Sequence, residues 1–154
     1  MSDIKFPWAN NAPEPSSRTV VEYMAHLAES GDTDYIVQPT MCGSEGESRP
    51  LEGFAIRLSS GSQPVGLRYK VHMEGLGDSG WVYLNEFIGT RGQSRQIEAY
   101  WVEVTGSAAE RYDVYYQAHL SGTGWTSWER NGQMCGTRGE SRAIEAIKVF
   151  VAEK

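Results

Sequence analysis

The chain has 154 residues, 40% of them apolar, and its 20 acidic against 14 basic side chains give a net charge of −6. That is material for one single-core globular domain. The acidic excess argues against nucleic acid and anionic membranes, which call for a clustered Lys/Arg surface, and no apolar run nears the ~20 residues of a membrane span.

The first segment, MSDIKFPWANNAPEPSS, lacks the basic start and apolar stretch of a secretory signal. The expectation is a soluble protein without membrane insertion, cytoplasmic at synthesis or released by another route. Residues 1–17 read as an extended arm, and Phe6-Pro7-Trp8 gives it an aromatic anchor that would dock on a neighbour and offer a route to homo-oligomers.

From Val21 the chain repeats itself. Residues 21–58, 67–104 and 114–151 align without a gap, matching at Tyr23/Tyr69/Tyr116, His26/His72/His119, Gly31/Gly77/Gly124, Gly43/Gly89/Gly136, Gly46/Gly92/Gly139, the Ser-Arg pairs from Ser48, Ser94 and Ser141, and Glu52/Glu98/Glu145. Residues 18–154 are therefore one domain of three repeats (18–62, 63–109, 110–154), and three similar units offer three similar surfaces, which points to multivalent binding.

Each unit opens on a strand. SSRTVVEYMAHLAES alone resembles a capped helix, but its partners GLRYKVHMEG and DVYYQAHLSG are aromatic and β-branched with period two. Tyr23, Ala25 and Leu27 share the core face, while Glu22, Met24 and His26 take the more polar one. Next, TSWER and QMCGT flank Asn131-Gly132, the signal for a tight type I′ hairpin. The loop GTRGESR, with GSEGESR and GTRGQSR in the other units, holds paired glycines suited to a reversal at positive φ. A last strand starts at the repeated Glu and alternates through Phe54, Ile56 and Leu58 and their counterparts, and Gly/Ser-rich linkers join the units. Four strands in each of three repeats predict an all-β fold of pseudo-threefold symmetry, β-prism-like or else a β-trefoil.

Cys42 and Cys135 share a repeat position with Ile88, which is how buried, unreactive thiols behave, and two cysteines are too few for a disulfide scaffold. One His per unit offers no metal-ligand spacing. No cofactor is implied.

The third unit resembles the clostridial hydrophobic W (ChW) repeat, through Gly124-Trp125, Trp128, Asn131-Gly132, Gly136-Thr137-Arg138-Gly139 and Glu145-Ala146. The second keeps Trp81, Gly89-Thr90-Arg91-Gly92 and Glu98-Ala99 but has Asp78 at the first Trp position; the first has Asp32, Tyr35 and Gly53 at the diverged places. The resemblance covers nearly everything after the first 20 residues. It implies a bacterial cell-surface or extracellular binding module for adhesion or glycan recognition.

His26, Ser48 and Glu52 have the types of a hydrolytic triad, yet the set recurs in every unit and no G-x-S-x-G elbow frames the Ser, which favours a non-catalytic protein. The loop lacks the Walker lysine of a phosphate cradle. A neutral saccharide calls for an aromatic face with bidentate and carboxylate groups around it. Each unit supplies such a set: His26, Asp32, Tyr35, Arg49 and Glu52; His72, Asp78, Trp81, Arg95 and Glu98; His119, Trp125, Trp128, Arg142 and Glu145. The bland alternatives are a core role for the repeated Tyr and Trp and a Glu bonded to the Ser-Arg loop. The expectation is a lectin-like protein for oligosaccharides or glycoconjugates with up to three glycan sites. The alternative is an adhesion or structural module that binds protein or self-assembles.

Overall fold

The structure is a computed structural model, and it describes residues 12–154; Phe6-Pro7-Trp8 lies outside the described residues. The first unit folds as β1 (Val21–Leu27), β2 (Gly31–Asp32), β3 (Ile36–Val37), β4 (Cys42–Gly43) and β5 (Leu51–Leu58). The second repeats this as β6 (Gly66–Met73), β7 (Gly77–Asp78), β8 (Val82–Tyr83), β9 (Ile88–Gly89) and β10 (Ile97–Thr105). After a 3₁₀ turn at Gly106–Glu110 the third unit adds β11 (Tyr112–Leu120), β12 (Gly124–Trp125), β13 (Glu129–Arg130), β14 (Cys135–Gly136) and β15 (Ile144–Glu153). The helix-like stretch VEYMAHL is thus a strand in register with its two counterparts. Its period-two aromatic partners report the local preference better than its own composition does.

Long strands pair within units, β1 with β5, β6 with β10 and β11 with β15, all antiparallel. The short strand before each glycine loop does not stay at home. β9 pairs with β5, β14 with β10, and β4 with β15, so every five-stranded sheet is completed by a neighbour and the exchange closes in a ring. Three sheets around one core, without a closed barrel, give the prism-like arrangement rather than the trefoil.

This exchange overturns the expected hairpin. Asn131 (φ 45) and Gly132 (φ 85) do make the positive-φ turn, closed by Gln133 N–H donating to the Arg130 carbonyl at 3.2 Å. The flanking segments then part, β13 joining β11 and β14 crossing to β10. Gly132 N–H donates to the Val102 carbonyl at 2.8 Å, so the turn is held by the neighbouring sheet. A turn sequence fixes a reversal; partner choice lies with the core.

Glycine permits the crossing. Gly43, Gly89 and Gly136 have φ of 122°, 111° and 111°, and a Cβ on any of them would run into the backbone carbonyl of Glu145, Glu52 or Glu98.

Tyr23, Tyr69 and Tyr116 are fully buried, and each hydroxyl donates to a backbone carbonyl before the exchanged strand: Thr40 (2.6 Å), Glu86 (2.5 Å) and Gln133. A chain of rings, Phe54 to Tyr69 (5.4 Å), Phe54 to Tyr100 (5.5 Å) and Tyr100 to Tyr116 (5.3 Å), links all three units through the core. Cys42 and Cys135 are free and buried on the exchanged strands, and burial pushes the Cys135 thiol up to about 12. Both should stay unlabelled by a thiol reagent in the native protein and react once it is unfolded; rapid native labelling would contradict this. Among the described residues no helix is long and apolar enough to cross a membrane.

Candidate functional site

Each unit carries a register shift where its first and last strands pair. His26 faces Gly53 and Leu27 faces Leu51, leaving Glu52 as the extra residue; Glu98 and Glu145 are the extra residues at the matching places. Such a bulge re-aims a side chain. Leu51 and Phe54 both keep to the core, while the carboxylate comes round to the histidine on the outer face. Glu52 Oε1 lies 3.6 Å from His26 Nε2, Glu98 Oε1 3.9 Å from His72 Nε2, and Glu145 Oε1 3.1 Å from His119 Nδ1.

None of these three carboxylates bonds to the Ser-Arg pair of its own unit; only Glu145 reaches such a loop, that of the first unit, through Gly46 N–H. Arg49, Arg95 and Arg142 reach back to the turn after the first strand, onto Ser30 Oγ, the Glu74 carbonyl (3.4 Å), and the Ser121 carbonyl (3.3 Å) with Thr123 Oγ1 (2.9 Å). Glu98 accepts from Gln96 Nε2 at 2.9 Å and Glu145 from Gly46 N–H at 3.4 Å. Glu52 accepts no hydrogen bond from the described residues, although its side chain is only 7% exposed. Pro50 and Ala143 stand where Gln96 does. Next to each Glu, the following unit places a buried hydroxyl that is likewise unpartnered: Thr90, Thr137 and Ser44, whose N–H groups donate to the carbonyls of Glu52, Glu98 and Glu145 at 2.8, 3.0 and 3.0 Å.

The histidine's other edge is held by a residue across the β1–β2 or β6–β7 ladder. His26 Nδ1 and Asp32 Oδ1 are 2.7 Å apart, as are His72 Nδ1 and Asp78 Oδ1. Each aspartate also receives a guanidinium fork from the next unit's glycine loop, Arg91 onto Asp32 at 3.1 and 2.9 Å and Arg138 onto Asp78 at 3.2 and 2.6 Å. The third junction inverts the pairing. Trp125 sits edge-on to His119 at 5.3 Å and donates its indole N–H to Glu45, the counterpart of Arg91 and Arg138.

Between the first two units these groups border a cleft of about 290 Å³ lined by His26, Glu52, Ser94 and Gln96, with Pro50 and Gly92 as apolar walls. It falls just short of the ~300 Å³ at which small-molecule sites begin. His, Asp and Glu of one unit therefore meet the glycine loop of the next.

The aromatic position does not join this cluster. Tyr35 is capped by Arg57 at 3.6 Å, Trp81 by Arg68 at 4.2 Å, and Trp128 packs edge-on against Phe150 at 5.1 Å, all on the outer faces of the long-strand pairs. It is neither core filling around the pseudo-axis nor a partner of the histidines.

Arg91, Arg138 and Glu45 escaped the sequence reading. The signal is an exchange between repeats offset by one unit: Asp32 and Asp78 go with Arg91 and Arg138, Trp125 with Glu45.

The Arg91 fork, with the His26 bond after it, holds the Asp32 carboxyl below its ordinary range; the Arg138 fork does the same for Asp78, with the His72 bond reinforcing it against burial. A lowered folded-state pKa stabilises above the unfolded value of about 3.9, and the gain is lost as pH falls through the lower, folded one. The double variant Arg91→Met/Arg138→Met should therefore lose less stability than the parent between about pH 4.5 and 2.5, a difference within ~1 kcal/mol because the pairs are exposed. Denaturant midpoints across that range measure it; parallel curves would contradict it.

Residues 72–106 and 119–151 match the family model described as Clostridial hydrophobic W, covering most of the second and third units. No curated protein and no solved structure matches the chain.

Proposed function

We propose that this chain, whose residues 72–106 and 119–151 match the Clostridial hydrophobic W model, is a non-catalytic, multivalent glycan-binding module whose sites are the junctions between neighbouring units. One observation carries this reading. The Glu52 carboxylate is buried, takes no hydrogen bond from the described residues, and borders an open cleft beside His26. A carboxylate that opens onto a cleft takes donors there, and sugar hydroxyls arrive as donors that also accept from the imidazole or from Gln96. The unpartnered Thr90 hydroxyl beside the Glu52 backbone adds a second polar group at the same junction. The recurrence of the triad types in all three units, with no G-x-S-x-G elbow around the serine, supports the non-catalytic reading.

The Arg91 and Arg138 forks support a second reading, in which the polar set ties units together in an adhesion or structural module. A glycan array separates the two. On the first reading the parent gives saccharide hits and Glu52→Gln, which keeps the shape and removes the charge, weakens them at unchanged melting temperature. A blank array, or hits indifferent to substitution at Glu52, Glu98 and Glu145, leaves the structural module.

A further inference from the structure

The outer face of the second unit differs from the other two. Lys70 on β6 stands opposite Trp101 on β10, and its ammonium lies 4.7 Å from the Trp101 ring and 5.2 Å from the Trp81 ring. The charges around it are already matched: Arg68, over the Trp81 ring at 4.2 Å, pairs with Glu103 at 2.6 Å, and Arg138, over the Trp101 ring at 4.9 Å, pairs with Asp78 at 2.6 Å. Among the described residues no carboxylate comes within ion-pair distance of Lys70, so its ammonium is an unmatched cation between two indoles on a protein of net charge −6. Trp101 is 7% exposed and forms a floor, while Lys70 and Trp81 are half-buried and reachable from solvent. The first unit has Met24 and Ala55 at the places of Lys70 and Trp101, and the third has Gln117 and Lys148. Neither builds this arrangement.

We infer that this face binds the carboxylate of an acidic saccharide, a hexuronate or sialic-acid residue, with Lys70 taking the carboxylate and Trp81 covering the C–H face of the ring in place of the Arg68 guanidinium that now lies over it. The inference rests on the glycan-binding reading and names the substrate class for the second unit. An ammonium offers a compact charge with three donors, and an aromatic face suits an apolar ring patch; a saccharide that carries both features satisfies both groups at once. An acidic peptide would use the charge but bring no ring C–H patch to Trp81.

The test is an array holding each oligosaccharide in paired neutral and carboxylated forms, hexose against hexuronate and asialo against sialylated, with hits titrated by calorimetry and oligoglutamate included as a peptide probe. The expected result is a preference of about tenfold or more for carboxylated members. Lys70→Met and Lys70→Gln, which install the residues of the sister units, should abolish it at unchanged melting temperature. Equal binding of both forms, a preference that survives both variants, or oligoglutamate binding with the same Lys70 dependence overturns the inference. Neutral hits alone would overturn it and leave the glycan reading standing, whereas an array with no hits would remove both.

Discussion

Gly136→Ala is expected to destabilise the protein by about 3–5 kcal/mol, among the largest effects of any conservative substitution in this chain. Two costs coincide there. A residue with a Cβ is strained at φ 111°, and the new atom would meet the Glu98 carbonyl, which the β14–β10 pairing holds in place. A main-chain obstacle cannot rotate away as a side chain would, so relief requires the exchanged strand to lift off. Gly139→Ala separates the costs, because Gly139 has φ 74° and nothing within 4 Å of the added Cβ; it should cost only about 1–2 kcal/mol. Urea denaturation of both variants measures the difference, and near-equal losses would show that the close approach carries no weight.

The second large effect concerns the ring itself. A fragment of residues 1–109 contains two whole units by sequence, yet it should fail to fold. It lacks β14, which pairs Ala99 with Gly136 and Tyr100 with Cys135. The fully buried Tyr100 hydroxyl would lose the Gln117 carbonyl it donates to at 2.7 Å, and the shared core would lose Val114, Tyr116, Val149 and Val151. The first unit fares no better, since β4 would have no β15 to complete. The expected result is a fragment without near-ultraviolet dichroism or cooperative melting, in contrast to open repeat arrays, where stability builds up unit by unit. A cooperatively melting fragment would mean that the units are independent and the exchange is ornamental.

Much of the architecture was legible in the sequence because gapless repetition lets three stretches vote on each position. The strand at VVEYMAHL and the buried Tyr and Cys positions were settled that way. The partner of each short strand was not, because Asn131-Gly132 specifies the shape of a turn and says nothing about where the chain goes next. The bulge at Glu52, Glu98 and Glu145 left a trace that strict alternation hid: Leu51 and Phe54, Ile97 and Tyr100, and Ile144 and Ile147 are apolar at a spacing of three, one too many for an unbroken strand. The guanidinium forks were hidden for a related reason. Reading each unit against itself cannot show that Asp32 answers to Arg91, a residue of the next unit.

That shift of emphasis from units to junctions bears on the function. The histidine, the bulged glutamate and the following unit's hydroxyl recur at every junction; the first two share the His–Asp–Arg arrangement, Glu52 alone of the three glutamates lacks a hydrogen-bond donor among the described residues, and the Trp125–Glu45 junction is distinct. Calorimetric titration of the parent with the strongest array hit tests this most directly. Two or three equivalents should bind per chain, and Glu52→Gln should remove one of them while the melting temperature holds. Failure of every array hit to bind in solution, or a single equivalent untouched by substitution at Glu52, Glu98 or Glu145, would contradict junction binding.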